Sequence, residues 1–264
     1  MNRCVWMVVL GAMLAVTVSA SAAEPYKLGP DSTPQEGVPT GEVTKFKWES
    51  QTIYPGTSRD CWLYIPKQYD PSKPAALMVF QDGQNYLRDD VRATVVLDNL
   101  IHQKQMPVTI ALFINPGRTS STATTQQAKQ QRSIEYDTMS DQYARFLLEE
   151  MIPHIEKTYS IAQDPARRAI CGMSSGGICA FTVAWHRPDA FSKVVSHCGS
   201  FTNIRGGNAY PSLVMASACR AGASSGFFSL IAVCFVGSTR SSIDIAAMIF
   251  SPSLSLNSFW IGSP

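Results

Sequence analysis

The pentapeptide Gly172-Met173-Ser174-Ser175-Gly176 stands between an apolar run at residues 169–171 and an amphipathic run at residues 177–186. This order predicts a strand that turns sharply into a helix and lifts the hydroxyl of Ser174 clear of the backbone. Glycine on either side lets neighbouring chain pass close to the turn. The pattern therefore predicts a nucleophile elbow, the turn that carries the reactive serine of serine hydrolases. A glycine-rich turn without chemistry is the alternative.

A reactive serine needs a histidine as base, and the histidines of this chain are few. In α/β-hydrolases an acid and then the histidine follow the serine in the sequence. The chain has four histidines, of which only His186 and His197 follow Ser174, and none follows Pro211. His197 ends a predicted strand and is the candidate base, whereas His186 is expected to end the nucleophile helix. The sequence thus predicts a nucleophile with an incomplete triad.

Composition limits the class of protein. The chain has 264 residues, of which 45% are hydrophobic and 16% charged, and this length is enough for one domain with a large core. A net charge of +2 gives no reason to expect a nucleic-acid partner. We predict three parts: a signal peptide at residues 1–22, a catalytic domain at residues 23–211 and an atypical tail at residues 212–264.

The first residues have the pattern of a secretory signal. Arg3 precedes an apolar stretch at residues 5–18, and the small residues Ala20-Ser21-Ala22 resemble a cleavage site. The stretch is too short for a membrane span and no stop signal follows it, so we expect an exported protein, periplasmic or extracellular.

The cysteines predict neither a metal site nor an assignable disulfide. Cys4 falls in the leader, and no Cys-x-x-Cys or mixed Cys/His spacing occurs among the rest, so no metal is expected. Cys171, Cys179 and Cys198 fall on predicted strand or helix faces, where cysteine serves as a small apolar residue.

Strands and helices alternate along the domain, which predicts an α/β fold with a mostly parallel sheet flanked by helices. Strands are expected at residues 43–53, 61–65, 77–81, 108–113 and 194–197, with a helix at residues 91–102. The polar stretch at residues 117–132 is expected to be a loop. Thr138 and Asp141 are expected to form a capping box before a helix that buries Tyr143, Leu147, Met151 and Ile155.

Several segments together carry a family resemblance. They are Phe80-Gln81-Asp82-Gly83-Gln84, Phe113-Ile114-Asn115-Pro116-Gly117, Arg132-Ser133-Ile134-Glu135-Tyr136-Asp137, the run from Phe146 to Pro153, the serine elbow, Trp185-His186-Arg187-Pro188-Asp189-Ala190-Phe191 and Ser196-His197-Cys198-Gly199-Ser200-Phe201. Over about residues 45–211 the chain resembles the esterase family of α/β-hydrolases that includes enterochelin esterase, esterase D and feruloyl esterases.

This resemblance implies hydrolysis of a carboxylic ester, without metal or organic cofactor, through an acyl-enzyme on Ser174. The substrate would be a small-molecule or polysaccharide-linked ester. The backbone N–H of Ser175 and that of Gly83 or Gln84 would bind the oxyanion. Glu135 and Tyr136 would shape the cleft, although acidic residues beside a helix terminus have a simpler explanation in the helix dipole.

The resemblance changes after Pro211. Residues 212–264 are rich in serine and apolar residues, contain Arg220, Arg240 and Asp244 as their only charged residues, and have no histidine. We therefore expect the last strands and helix of the fold to be missing or replaced, as a changed reading frame would produce. A divergent tail is the alternative, and the apolar run at residues 227–237 is shorter than the ~20 residues of a membrane span.

Three hypotheses follow for function. The first is an exported serine esterase whose activity is limited by the missing acid and base. The second is a non-catalytic binding protein or inactive truncated homologue that keeps the cleft. The third is a thioester hydrolase like the formylglutathione enzyme, which the export signal disfavours because that substrate is cytosolic.

Overall fold

Six strands form one mixed sheet in the order β1-β2-β4-β3-β5-β6 in the computed structural model, which describes residues 28–120 and 122–220. The strands are β1 (Glu42–Glu49), β2 (Ser58–Ile65), β3 (Ala76–Gln81), β4 (Thr109–Ile114), β5 (Arg168–Met173) and β6 (Lys193–His197). The helices are α1 (Gly83–Tyr86), α2 (Ala93–His102), α3 (Thr125–Tyr136), α4 (Gln142–Arg145), α5 (Ile152–Glu156), α6 (Ser175–His186) and α7 (Tyr210–Arg220). A π-helical turn (Phe146–Met151) joins α4 to α5, and short 3-10 turns lie at Pro30–Ser32, Pro165–Arg167 and Gly207–Ala209.

Strand pairing places the carboxyl ends of four strands at one edge of the sheet. Strands β3, β4, β5 and β6 are parallel, whereas β1 and β2 form an antiparallel hairpin that joins the sheet beside β4. Gln81 pairs with Ile114, and Met173 pairs with His197. The predicted α/β class is confirmed, and ligands of such sheets bind beyond these carboxyl ends.

Helices cover both faces of the sheet, so its central strands are apolar throughout. Every residue of β3 and β4 is buried. On one face Val79 and Leu112 pack with α6 and the helices around Phe146. On the other face Met78 packs with α2 through Leu97. The predicted core residues Tyr143, Leu147, Met151 and Ile155 are buried, which confirms the helical spacing.

The stretch expected to be a loop contains a helix instead. Helix α3 starts at Thr125, and Thr124 forms the capping box with Gln127 that the sequence had suggested for Thr138. Thr138 donates its hydroxyl proton to the carbonyl of Ile134 and caps no helix. The prediction was wrong because α3 is polar along most of its length and buries only its last residues, so hydrophobic spacing gave no signal.

The first strand is shorter than predicted because a distant carboxylate takes the backbone donors of residues 51–53. Glu150 accepts hydrogen bonds from the backbone N–H groups of Thr52 (3.0 Å) and Ile53 (2.7 Å) and from the hydroxyl of Ser50 (3.0 Å). The indole of Trp48 donates to its second oxygen at 3.1 Å. These donors are therefore satisfied without a strand partner, and the chain turns between Glu49 and Ser58.

The cysteines are placed as expected, with one exception. Cys61, Cys171 and Cys179 are buried in the core, and burial raises the pKa of the Cys61 and Cys171 thiols to about 12. Cys198 was expected on a strand or helix face but is exposed in the turn after β6, with a φ of 46°. The predicted signal peptide lies outside the described residues, as do residues 221–264 of the predicted tail.

Within residues 28–120 and 122–220, no helix combines the length and the apolar character that crossing a bilayer would require.

The Glu150 carboxylate leads to a prediction about stability. Burial alone would raise the pKa of Glu150, but hydrogen bonds from Ile53, Thr52 and the neighbouring side chains outweigh it and lower the pKa. Glu150→Gln should therefore reduce the free energy of unfolding by about 1–3 kcal/mol at neutral pH. A group with a lowered pKa stabilises above its unfolded pKa, so the deficit should shrink as the pH falls below about 4.3.

Urea unfolding followed by tryptophan fluorescence measures this difference. Glu149→Gln is the matched control, because the neighbouring Glu149 pairs only with Arg145 on the exposed face of the helix. It should leave the free energy of unfolding nearly unchanged. Equal effects of the two substitutions at neutral pH would show that Glu150 does not hold the loop.

Candidate active site

Ser174 occupies the turn between β5 and α6 in a strained conformation. Its φ of 54° and ψ of −122° are rarely adopted by residues with a side chain, and the residue is exposed. The backbone fixes the turn from both sides: Ser174 N donates to the carbonyl of His197 at 2.9 Å, and Gly177 N donates to the carbonyl of Ser174 at 2.9 Å. The structure thus has the strand, sharp turn and helix that the sequence predicted.

The glycines of the pentapeptide are required by close backbone packing. A Cβ atom at Gly172 would collide with the carbonyl group of Gly176, the second residue of α6. A Cβ atom at Gly176 would lie 3.2 Å from Asp82 Oδ2, and one at Gly177 would lie 2.8 Å from Ser196 Oγ. The glycines therefore allow the end of β5, the start of α6 and the loop after β3 to pack closely together.

The hydroxyl of Ser174 contacts another serine. Ser174 Oγ and Ser200 Oγ lie 3.0 Å apart, and either can be the donor. Ser200 is fixed there because its N–H donates to the carbonyl of Ser174 at 3.0 Å. Ser200 is a site residue that the sequence reasoning missed. The segment containing it carried the family resemblance, but only the turn after β6 brings it to Ser174.

The backbone of His197 contacts Ser174, but its side chain does not. Its ring lies 6.2 Å from the ring of Tyr86, measured between centroids, on the α1 side of the sheet. The side chain is buried, burial lowers its pKa, and neither ring nitrogen has a hydrogen-bond partner within the described residues. The structure therefore brings the carbonyl of His197, but not its imidazole, to the nucleophile.

The other described histidines lie on helices away from Ser174. His102 and His186 are the last residues of α2 and α6, and His154 packs at a tilt against the rings of Phe46 and Trp48. In the part of the chain that the structure describes, Ser174 Oγ makes no hydrogen bond to an imidazole.

Two helix starts supply candidate oxyanion donors. Ser175 and Gly83 are the first residues of α6 and α1, so their N–H groups have no acceptor within the helix. The N–H of Gln84, the third candidate, donates to Asn115 Oδ1 at 3.1 Å. Gly83 must be glycine because a Cβ atom there would collide with the backbone of Phe113 and Ile114.

The loop before Gly83 is held by a polar cluster. Asp82 has a left-handed φ of 53°, and its carboxylate accepts two hydrogen bonds from Arg132, at 2.6 and 2.9 Å. Its N–H donates to the hydroxyl of Tyr136 at 3.1 Å. Tyr136 is fully buried, so its contribution to the cleft is to support this loop from below.

Glu135, predicted to shape the cleft, lies beneath it in a buried ion pair. Its carboxylate accepts hydrogen bonds from Arg59 at 2.7 and 3.1 Å and from the N–H of Gly117, and both charged side chains are inaccessible to solvent. The Arg59 guanidinium also lies 4.2 Å from the ring centre of Phe146. A buried cation requires such a partner, so Glu135 acts on the cleft only through the packing of α3 and the loop after β4.

Within residues 28–120 and 122–220 there is no group of three or more histidine, cysteine or acidic side chains that could hold a metal ion. The site offers a strained, exposed serine and, at the starts of α6 and α1, the N–H groups of Ser175 and Gly83. Such a serine can attack a carbonyl carbon whose oxygen lies near those donors.

A mostly parallel sheet with a serine on the turn between β5 and α6 defines the class: the fold is that of the α/β-hydrolases. The chain belongs to the family described as "Putative esterase", whose profile matches residues 52–260. That match includes the elbow and continues past Pro211.

Solved esterases share this fold. The enterobactin esterase of Shigella flexneri, crystallised in the presence of enterobactin, has a TM-score of 0.57 and 21% identity over 72% of this chain and 46% of its own. A ferulic acid esterase of Anaeromyces mucronatus in complex with ferulic acid has a TM-score of 0.57 and 17% identity over 83% of this chain and 92% of its own.

The curated relatives are longer than the region they share. An iron(III) enterobactin esterase of Dickeya dadantii is 25% identical over 164 residues, which are 60% of this chain and 33% of that protein. An uncharacterized protein of Bacillus subtilis is 24% identical over 142 residues, 53% of this chain and 56% of that protein. The chain thus spans between a third and three fifths of the length of these relatives.

The position of the His197 ring leads to a prediction. His197→Leu should leave the reaction of Ser174 with a fluorophosphonate unchanged, because the ring does not contact Ser174 and leucine suits a buried apolar site. Intact-mass measurement of the labelling rate tests this, with thermal melting as a control for folding. A well-folded variant that labels ten times more slowly would identify His197 as the base.

Proposed function

We propose that this protein is a serine esterase that hydrolyses a carboxylic ester through an acyl-enzyme on Ser174. The observation that carries the proposal is the strained, exposed Ser174 at the junction of β5 and α6, with φ of 54° and a hydroxyl 3.0 Å from that of Ser200. Membership of an esterase family agrees with the proposal. The substrate is a small-molecule or polysaccharide-linked ester; related structures were determined with enterobactin and with ferulic acid, the acid that hydrolysis of a feruloyl ester releases.

The reaction has two halves. Ser174 Oγ attacks the ester carbonyl carbon, its proton passes to a base, and the alcohol leaves with a proton as the acyl-enzyme forms. Water then attacks the acyl carbon and releases the acid. In both steps the carbonyl oxygen becomes negative, and the N–H groups of Ser175 and Gly83 would bind it. Gly83 is a better candidate than Gln84, whose N–H already donates to Asn115.

The base is the one group of the mechanism for which the described residues show no basic side chain hydrogen-bonded to Ser174. Ser174 pairs with Ser200 rather than with an imidazole in the described part of the chain. This observation favours a second candidate function, a non-catalytic protein that binds an ester or related ligand in the same cleft. Where triads have been dismantled, binding and the oxyanion hole still leave about 10³–10⁴-fold catalysis over water.

A change of reading frame after the Pro211 codon remains our proposal for the unusual composition of residues 212–264. The family match to residue 260 runs through this segment, so its departure lies in composition and in the absence of histidine. Translation of the nucleotide sequence in all three frames tests the proposal. An alternative frame should contain an aspartate and a Gly-His loop, and frames without them would leave a divergent tail as the explanation.

We predict that Ser174→Ala abolishes both ester hydrolysis and covalent labelling by a fluorophosphonate, because only an activated serine reacts. Folding should be retained, since an exposed turn hydroxyl contributes little to packing. The assays are hydrolysis of p-nitrophenyl acetate and intact-mass detection of the labelled chain.

Ser192→Ala is the matched control, because Ser192 precedes the amino end of β6, at the other edge of the sheet, and its hydroxyl donates to the carbonyl of Pro165. It should label like the unaltered chain. An unaltered chain that takes up no label, although folded, would support the binding protein instead of the enzyme.

We also propose that the protein is exported and that cleavage occurs after Ala22, on the evidence of the charged start, apolar stretch and small residues of the leader. The expected outcome is a chain outside the cytoplasm whose intact mass lacks residues 1–22. A cytosolic product that retains Met1 or begins at Asn2 would contradict export.

A further inference from the structure

We propose that the ion pair between Asp82 and Arg132 positions the backbone N–H of Gly83 for oxyanion binding, which makes Arg132 a positioning residue for the reaction. The inference rests on the proposed function, since it concerns the same site. Arg132 does not need to touch substrate for this role. It acts through Asp82, the residue immediately before the proposed donor.

The geometry of the pair fixes the carboxylate in orientation as well as position. Arg132 Nε donates to Asp82 Oδ1 at 2.9 Å and Arg132 Nη2 donates to Oδ2 at 2.6 Å. Two parallel bonds prevent the carboxylate from rotating, which a single ammonium group could not do. The guanidinium also lies 5.2 Å from the ring centre of Tyr136, so α3 holds it in place.

The loop that carries Gly83 is held on three sides. From α3, Arg132 binds the Asp82 side chain and Tyr136 accepts from the Asp82 N–H. From β4, the Asn115 side chain accepts from the N–H of Gln84 at 3.1 Å. From the elbow, Gly176 approaches so closely that a Cβ atom there would lie 3.2 Å from Asp82 Oδ2. Gly83 lies between Asp82 and Gln84, which these contacts hold, and its N–H has no acceptor within α1 because it is the first residue of that helix.

The left-handed conformation of Asp82 explains why such support is needed. A residue with a side chain at φ of 53° is strained, and such conformations persist only where the surroundings impose them. Without Arg132 the peptide between Asp82 and Gly83 could rotate to a relaxed conformation. That rotation would change the direction of the Gly83 N–H, the proposed oxyanion donor.

The experiment compares three substitutions in the full chain. Arg132→Met removes the charge and both donors, whereas Arg132→Lys keeps the charge but cannot form the two parallel hydrogen bonds to Asp82. Arg187→Met is the matched control, because Arg187 makes the same pair of bonds to Asp189, at 2.8 and 2.7 Å, beyond the end of α6. Asp82→Asn takes the place of Arg132→Met, with the same expected results, if that variant does not fold, since asparagine tolerates a left-handed backbone.

Three measurements are made on each variant: the second-order rate of labelling by an uncharged fluorophosphonate, kcat and KM for p-nitrophenyl acetate, and amide hydrogen exchange over residues 82–87. For Arg132→Met we expect labelling to fall about 10- to 100-fold and exchange to accelerate in this loop alone. For p-nitrophenyl acetate the loss should appear in kcat with KM nearly unchanged. Arg132→Lys should be intermediate, and Arg187→Met should match the unaltered chain in all assays.

The outcomes separate this inference from the proposed function. Labelling of Arg132→Met at the unaltered rate, or an equal loss in Arg187→Met, would overturn the inference. If the unaltered chain labels no better than Ser174→Ala, the proposed function fails. Hydrogen exchange alone then tests whether the Asp82–Arg132 ion pair positions the loop. Faster exchange confined to residues 82–87 then supports its positioning role, and unchanged exchange refutes it.

Discussion

The packing of β5 against the first turn of α6, with no room for a side chain between them, is the constraint on which the site depends. Gly172 and Gly176 touch through their backbones, and Gly177 lies against Ser196 of β6. This contact forces the chain to reverse within one residue, and that residue is Ser174, whose φ of 54° absorbs the turn. A larger residue at either glycine would push the helix from the sheet and relax the serine. The reactive position is thus a product of backbone packing rather than of the serine itself.

The same edge of the sheet gathers polar groups that are distant in the sequence. Asp82 follows β3, Asn115 follows β4, Ser174 follows β5 and Ser200 follows β6. Parallel strands bring their carboxyl ends to one side, so each loop contributes a group to a shared cleft. Beneath the cleft, the Arg59–Glu135 pair and the hydroxyl of Tyr136 connect α3 to β2 and to the loops after β3 and β4. Helix α3 is therefore the support of the cleft, although it contributes little to the apolar core.

Residues with strong local signals were predictable, and residues placed by long-range polar contacts were not. The elbow, the buried strands β3 to β6 and the apolar side of the helices around Tyr143 follow from glycine spacing and hydrophobic periodicity. Helix α3 was not predicted because it buries few residues. Strand β1 was predicted to extend too far because Glu150, about 100 positions away, binds the backbone that follows it. Ser200, Arg132 and Asn115 gain their roles only from strand order. The predicted role of His197 depended on which face of the sheet its side chain lies on. Side chains alternate between the two faces along a strand, so a position at the strand end does not specify the face.

The strand order also constrains how the chain can fold. Strand β3 lies between β4 and β5, and Leu77 of β3 pairs with Arg168 of β5, 91 residues further along. During synthesis, one edge of β3 has no hydrogen-bonding partner until the ribosome has released the 91 residues that lead to β5. Parallel pairing across such a separation is slow and leaves a hydrophobic edge open to other chains. The order of strands that brings these loops together therefore also leaves one edge of β3 without a partner until β5 has been synthesised.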